Sequence, residues 1–394
     1  MGLGYIGLPT AALIASRGIQ VQGIDVNQSV VDTINSGKIH IVEPALDGLV
    51  KNVVEKGLLK ADVNPDNADV FLIAVPTPFK GKYEPDLKYV ESATRMIIPN
   101  LKEGNLFVLE STSPVGTTDK MAKIIFENRP ELKGKISIAY CPERVLPGNV
   151  IYELEHNDRV IGGLDKQSTI KAQRFYRHFV KGKLHTSNAK TAEMCKLVEN
   201  SSRDVSIAFA NELSMICDKA EINVWELIYL ANKHPRVNIL QPGTGVGGHC
   251  IAVDPWFIVS EFRKEAVMIR NARVINNYKT EWVIEKIKST ALQFELDNNR
   301  KPTIALMGLA FKPDIDDLRE SPALLVADTL LFEGKFDLLL VEPNLQKSKK
   351  YELTDYNSID DKADIVAYLV AHKEFGVFET EVIELDFCGI KQRR

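Results

Sequence analysis

Short apolar runs, each bounded by polar, Gly or Pro positions, recur through the first third of the chain: residues 20–25 (QVQGID), 69–75 (DVFLIAV), 105–110 (NLFVLE) and 135–140 (KISIAY). Each has the length of a strand and is apolar nearly throughout, as a strand covered on both faces must be. Between them, residues 9–17 and 87–98 read as helices. Strands alternating with helices predict a parallel sheet with helices on both faces. The pattern changes near residue 186. Residues 187 to about 220 form a long helical stretch without Pro or Gly, and another runs from about 255 to 296. Apolar runs at 303–308, 336–342 and 365–370 then begin a second strand–helix series. The expected plan is α/β over residues 1–186, a helical region over 187–297, and α/β again over 298–394.

Composition narrows the function. Among 394 residues, 49 Lys and Arg face 53 Asp and Glu, a formal charge of −4. That argues against a general nucleic-acid binder, which needs a basic footprint, but leaves room for a local anion site. No apolar run approaches the ~18 residues of a membrane span. The five cysteines (Cys141, Cys195, Cys217, Cys250, Cys388) include no C-x-x-C pair, so neither a disulfide framework nor a structural zinc site is expected. The start has no basic segment followed by an apolar one, and Ile6 stands where a myristoylation signal has Ser or Thr. A reducing cytoplasm is the expected location.

Gly2-Leu3-Gly4-Tyr5-Ile6-Gly7 is a G-x-G-x-x-G, and Asp25 ends the next strand. Glycines there permit a tight turn and close approach of backbone to a pyrophosphate at a helix N-terminus, while the acid binds ribose hydroxyls. An acid rather than a basic residue favours NAD over NADP. The strand that should feed this loop is absent from the sequence, which begins at the loop itself.

Residues 241–255 read QPGTGVGGHCIAVDP. Four glycines let backbone crowd a ligand, and Cys250 sits at the edge of this loop rather than in an apolar stripe. A cation or helix N-terminus nearby would make it a thiolate nucleophile. His249 is adjacent, but neighbouring residues along a chain usually point apart, so a Cys–His dyad is not expected. Asp254 before Pro255 reads equally as a helix cap or as a carboxylate beside Cys250. Lys196 and Asn200 lie one helical turn apart; their face is either solvated or the lining of a cleft, where ammonium and amide together would stabilise an oxyanion. Thr112 (in ESTSPVG) and Glu143 (in YCPER) follow the third and fourth strands, at the carboxyl ends where open α/β sheets bind ligands. Lys312 and Arg319 lie in FKPDIDDLRES after the first strand of the second series, and suit phosphates.

Taken in order, GLGYIGLP, AVPTP, ESTSPVG, YCPERVLPG, the Lys196/Asn200 helix, GVGGHC and GLAFKPDIDDLRESPA resemble the UDP-glucose/GDP-mannose dehydrogenase family over essentially the whole chain. The resemblance implies two Rossmann-like doubly wound domains, joined by a long helix and a helical dimerisation region; in this sequence the first strand of the N-terminal sheet is expected to be missing. It implies four-electron oxidation of a UDP-sugar at C6 with NAD, through a thiohemiacetal and a thioester on Cys250. Lys196 and Asn200 would stabilise oxyanions; Asp254, Thr112 and Glu143 would orient or activate water. Gly2, Gly4, Gly7, Asp25, Thr77 and Arg319 would serve NAD. Arg144 and Lys312 would bind the nucleotide-sugar, and Arg236 would reach the substrate of the partner subunit of a homodimer. No metal is implied. The segments SIAYCPERVLPG and HPRVNILQPGTGVGGHCIAVDPWF look most like members oxidising UDP-N-acetyl-D-mannosamine for surface polysaccharide; UDP-GlcNAc or UDP-glucose oxidation, or a non-catalytic remnant, are the alternatives. Glucose-type members carry a second Glu where this chain has Pro147.

Overall fold

The computed structural model describes residues 1–391 apart from 42, 82, 146–147, 249–250, 346–349 and 379. The chain divides into two compact units, one of residues 1–199 with 256–261 and one of residues 200–255 with 262–394.

The apolar runs of the first unit become strands, and the polar-punctuated stretches between them become helices. In chain order they are α1 (Gly7–Ser16), β1 (Val21–Ile24), α2 (Gln28–Asn35), α3 (Leu46–Glu55), β2 (Leu59–Asp62), β3 (Val70–Ile73), the hairpin β4 (Phe79–Lys80) and β5 (Glu84–Pro85), α4 (Lys88–Ile97), β6 (Leu106–Leu109), α5 (Thr117–Asn128), β7 (Ser137–Tyr140), α6 (Val150–His156), β8 (Arg159–Gly163), α7 (Lys166–Tyr176) and β9 (Leu184–Asn188). One sheet has the order β3-β6-β7-β8-β9, and β1 pairs with β2. All four residues of β6 and of β7 are buried, as strands covered on both faces should be.

Met1 and Gly2 lie between the two sheets. The Met1 amine donates to the Leu72 carbonyl at 2.8 Å, and the Met1 carbonyl accepts from Ala74 N at 2.9 Å. Gly2 N donates to the Ile24 carbonyl at 2.7 Å. The spatial order is therefore β2, β1, Met1–Gly2, β3, β6, β7, the doubly wound order with two residues in the central place.

Besides β2 and the β4–β5 hairpin, two features of the main sheet differ from the sequence reading. The sheet is mixed, because β8 runs antiparallel to β7. The β8–β9 pair was not expected: β8 ends in Gly162-Gly163 and β9 is polar and mostly exposed, so neither carries the apolar run that marks a covered strand.

The long helix α8 (Ala189–Lys219) follows, then α9 (Val224–Ala231), α10 (Asp254–Glu261), α11 (Val267–Asn298), β10 (Thr303–Met307), α12 (Pro322–Glu333), β11 (Asp337–Val341), β12 (Ile365–Tyr368) and β13 (Ile383–Asp386). The helix expected over residues 255–296 is two helices, α10 and α11. The exposed Arg263-Lys264-Glu265 run forms a turn between them, with Ala266 N bonded to the Phe262 carbonyl at 2.8 Å; three consecutive charges leave no apolar stripe to hold a continuous helix there. The second sheet has the order β11-β10-β12-β13, all parallel.

Within the second unit α8 and α11 meet along a buried polar seam. Arg273 Nη1 donates to Asp204 Oδ1 at 2.6 Å, Asn276 Nδ2 to the same oxygen at 2.8 Å, and Asn211 Nδ2 to Asn276 Oδ1 at 2.9 Å. Asn211 Oδ1 accepts from Gly243 N at 2.9 Å, which ties the start of the glycine-rich loop to α8. Polar groups so buried must be paired to be tolerated, and here pairing sets the register of the two helices.

Candidate active site

The glycine loop separates two uses of glycine. A Cβ on Gly2, whose φ is +85°, would fall 2.7 Å from the Ala74 carbonyl oxygen, and one on Gly7 would fall 1.8 Å from that of Gly2. These two are required by the fold of the turn. A Cβ on Gly4 would meet nothing within 4 Å; that glycine faces open space at the mouth of α1, whose first turn holds no acidic side chain and no side-chain cap. Uncapped N–H groups beside open space form an anion site. Asp25 follows β1, and its carboxylate accepts from Leu3 N and Asn27 N, both at 3.0 Å. The residues fit a dinucleotide: open space for a pyrophosphate, and an acid held by backbone for a ribose. Thr77 is tied to the ESTSPVG loop, donating from Oγ1 to the Thr112 carbonyl at 2.6 Å.

Helix α8 organises the loops that follow β6 and β7. Glu193 is fully buried and accepts from Gly116 N at 2.6 Å, Thr118 N at 2.7 Å and Thr118 Oγ1 at 2.6 Å. It thereby caps α5, and burial pushes its carboxyl above the usual range. Two turns on, Glu199 receives the fork of Arg144, with Nη2 at 2.7 Å and Nε at 3.1 Å. Lys196 sits midway, three residues from each acid. A turn of α8 thus anchors the loop bearing Thr112 on one side of Lys196 and the loop bearing Glu143 and Arg144 on the other. Each acid is one i, i+3 step from Lys196, Glu193 buried and Glu199 exposed.

Glu143 is buried. Its Oε1 accepts from Arg144 N at 2.5 Å, and its Oε2 lies 3.0 Å from Nη2 of Arg159, the first residue of β8. Nearby, Tyr176 donates to Glu110 Oε1 at 2.5 Å; burial raises the Glu110 carboxyl, with Arg159 and Tyr176 opposing. Burial also pushes the Cys141 thiol up to about 12, so that cysteine is inert packing.

In the second unit, Asn200 Nδ2 donates to Asp254 Oδ2 at 2.6 Å, and Asp254 is buried. Cys250 and His249 lie outside the described residues. The glycines before them let the loop press on its neighbours: a Cβ on Gly247 would fall 2.3 Å from the Glu320 carbonyl oxygen, and one on Gly248 2.8 Å from the Phe311 ring. The segment ahead of Cys250 therefore packs on the FKPDIDDLRES loop.

That loop is held from below. Glu342 Oε2 accepts from Leu309 N at 2.8 Å and Ala310 N at 2.9 Å, and lies 3.1 Å from His372 Nε2. His372 Nδ1 accepts from Asp314 N at 3.0 Å, which leaves the ring proton on Nε2, facing Glu342. Burial works to raise the Glu342 carboxyl, but the His372 and backbone donors outweigh it and leave it below the usual range. Asp314, His372 and Glu374 form the only grouping among the described residues whose donor atoms could meet at a metal; both His372 nitrogens and one Asp314 oxygen already have protein partners. Lys312 is exposed, and Arg319 is exposed and paired with Asp317 at 2.6 Å. Arg236 is exposed.

The first unit thus holds Gly2, Gly4, Gly7, Asp25, Thr77, Thr112, Glu143, Arg144 and Lys196; the second holds Asn200, Arg236, Asp254, Lys312 and Arg319. Sequence reasoning missed Glu193, Glu199, Arg159, Glu342 and His372. The acids flanking Lys196 at helical spacing were a signal for the first two. Nothing local marks the others, since each acts on a residue distant in sequence.

The chain matches the NAD binding domain of the UDP-glucose/GDP-mannose dehydrogenase family over residues 1–180, its central domain over 190–278 and its UDP binding domain over 305–386. It is 55% identical to a UDP-N-acetyl-D-mannosamine dehydrogenase of Campylobacter jejuni, over 98% of each chain. It is 51% identical to an NDP-N-acetyl-D-galactosaminuronic acid dehydrogenase of Ralstonia nicotianae, over 98% of this chain and 92% of that one. Its fold is similar to that of a UDP-N-acetyl-mannosamine dehydrogenase of Staphylococcus aureus, with a TM-score of 0.87 and 38% identity, over 99% of this chain and 98% of that one.

Proposed function

This chain belongs to the UDP-glucose/GDP-mannose dehydrogenase family, an NAD-dependent oxidoreductase, and from that premise we propose that it oxidises UDP-N-acetyl-D-mannosamine at C6 to the uronate. The balance is one alcohol, two NAD⁺ and one water giving one carboxylate, two NADH and three protons. The observation that carries this reading is the α8 turn on which Glu193 and Glu199 anchor the loops bearing Thr112 and Glu143 on either side of Lys196.

NAD, when bound, supplies the hydride acceptor, and Gly2, Gly4, Gly7, Asp25, Thr77 and Arg319 serve to bind it. The Cys250 thiolate attacks the C6 aldehyde and holds it as a thiohemiacetal, which after oxidation is a thioester. Lys196 and Asn200 face the oxygen that turns anionic at each addition. Glu143 and Thr112 orient the water that cleaves the thioester, breaking C–S and forming C–O, and Asp254 takes part in moving the proton, with Asn200 fixing its carboxylate. Arg144 and Lys312 bind the nucleotide-sugar, Arg144 from its seat on Glu199. Arg236 serves the site of a partner subunit. Exposed Phe209 and Ile216 on α8 and Tyr229 and Leu230 on α9 support a homodimer built on the central helices. No described helix is long and apolar enough to cross a membrane, and we place the enzyme in the cytoplasm, where NAD and UDP-sugars are found.

The test is the NADH formed per sugar consumed with NAD in excess, for UDP-N-acetylmannosamine, UDP-GlcNAc and UDP-glucose, beside a Cys250→Ala control. Two NADH per UDP-N-acetylmannosamine, abolished in the control, is the expected result. One NADH overturns the thioester route, and a faster reaction with another sugar overturns the substrate.

A further inference from the structure

Arg159 is a buried cation at a position where a fold needs none. It opens β8, is 3% exposed, and its side chain meets the loop after β7, α6 and α7. Nη2 lies 3.0 Å from Glu143 Oε2 and 3.4 Å from the Leu154 carbonyl of α6. The guanidinium carbon is 5.5 Å from the centre of the Tyr176 ring of α7, and Tyr176 in turn donates to Glu110 at the end of β6. Arg159 Nη1 is buried without a hydrogen-bond partner. A buried ion pair seldom stabilises a protein more than apolar residues of the same volume would, and an unsatisfied guanidinium N–H costs more still. The pair therefore calls for a reason other than stability.

That reason lies in what it fixes. Glu143 Oε1 accepts from Arg144 N, and Arg159 closes on Oε2. One oxygen is held by a backbone hydrogen bond; the other accepts no hydrogen bond and is drawn by the ion pair toward the Arg159 guanidinium on the neighbouring strand. We propose that Arg159 is a positioning residue for the water-cleavage step, holding Glu143 where it meets the water that attacks the Cys250 thioester. This deepens the reading above and rests on it. Arg159 acts through Glu143 and touches neither sugar nor cofactor. A carboxylate misplaced by an ångström loses most of its effect on an attacking water.

The experiment compares wild type, Arg159→Met, Arg159→Lys, Glu143→Gln and the double variant Glu143→Gln/Arg159→Met, as full chains with UDP-N-acetylmannosamine and NAD, by rapid quench and intact-protein mass. In Arg159→Met the first burst of NADH stays within about 2-fold, uronate release slows roughly 10–100-fold, and mass for a thioester adduct builds up on Cys250. Arg159→Lys, which keeps the charge and loses the fork, is intermediate. In the double variant release is within about 3-fold of Glu143→Gln alone, because both changes remove one function. Burst and release falling together, or losses that multiply in the double variant, overturn the proposal. If Arg159→Met fails to fold, Arg159→Lys decides: slowed release with an intact burst supports the proposal, and wild-type release overturns it. A crystal structure of Arg159→Lys or Arg159→Met without substrate gives a reading independent of activity. A displaced Glu143 carboxylate is expected, and one that keeps its place overturns the inference. Absence of uronate from the wild-type enzyme with every sugar would instead overturn the proposed function, while the crystal structure would still judge Arg159.

Discussion

Asn200 and Asp254 are 54 residues apart in sequence and 2.6 Å apart in space, the amide of one donating to the buried carboxylate of the other. Asn200 lies on α8 one turn beyond Lys196, and Asp254 opens α10 four residues after Cys250. Asp254→Asn is expected to lower kcat roughly 10²–10⁴-fold, the range for loss of a positioned acid–base group, with KM for NAD nearly unchanged. Asn200→Ala strips a buried carboxylate of a donor and is expected to lower stability by about 1–3 kcal/mol in addition. Steady-state kinetics with thermal denaturation separates the two; a drop in Tm without loss of kcat would make the pair structural.

Glu193 caps α5 through three hydrogen bonds. Glu193→Ala leaves Gly116 N and Thr118 N buried without their acceptor, and a loss of roughly 1–3 kcal/mol is expected. Because the same carboxylate seats the ESTSPVG loop, whose Thr112 carbonyl holds Thr77, KM for NAD is expected to rise well before the enzyme unfolds. Titration with NAD by fluorescence would check this, and unchanged affinity in a folded variant would remove Glu193 from the site.

The cysteines differ in reactivity for a physical reason. Cys141, Cys217 and Cys388 are buried and so shielded, and burial raises the first two thiols, which keeps them protonated. Limited iodoacetamide is expected to abolish activity with a single label at Cys250, slowed by UDP-sugar. Peptide mass mapping reads this out, and inactivation that tracks labelling of Cys195 would contradict it.

Lys279 on α11 is almost fully buried, its ammonium 2.9 Å from Ser214 Oγ and 3.8 Å from the centre of the Trp282 ring. Burial draws its pKa from 10.5 down to about 7, against a smaller opposing pull from Asp218. Between those values the unfolded chain binds the proton and the folded chain does not, so stability rises with pH across about 7 to 10. Lys279→Met is expected to be more stable than wild type near pH 7, on the order of 2–4 kcal/mol. The gap should close toward pH 10. Chemical denaturation at both pH values measures it; a pH-independent gap would mean that the folded chain keeps Lys279 protonated, as the unfolded chain does.

The strands β1, β3, β6, β7, β10, β11 and β12 were legible because each is a short apolar run between breakers, and burial on both faces demands that composition wherever the strand sits. The glycine loop and Asp25, and Lys196 with Asn200, could be named as candidates because their spacing along one loop or helix is itself geometry; Asp254 read equally as a helix cap. β8 and β9 were not, since a glycine-ended strand and a polar one pair by neighbours rather than by pattern. Nor was the break between α10 and α11, where a charged turn replaces an expected helix.

The sequence by itself determined the α/β plan and the glycine loop, and its resemblance to the family supplied the candidate residues of the proposed oxidation. Only the tertiary structure decided that Glu193 and Glu199 bind loops on either side of Lys196, that Arg159 closes on Glu143, and that Glu342 and His372 hold the loop of Lys312. Periodicity records which face of an element is buried, but not which element covers it. A carboxylate's partner is set by where another strand or helix ends in space, and that is fixed only when the chain packs.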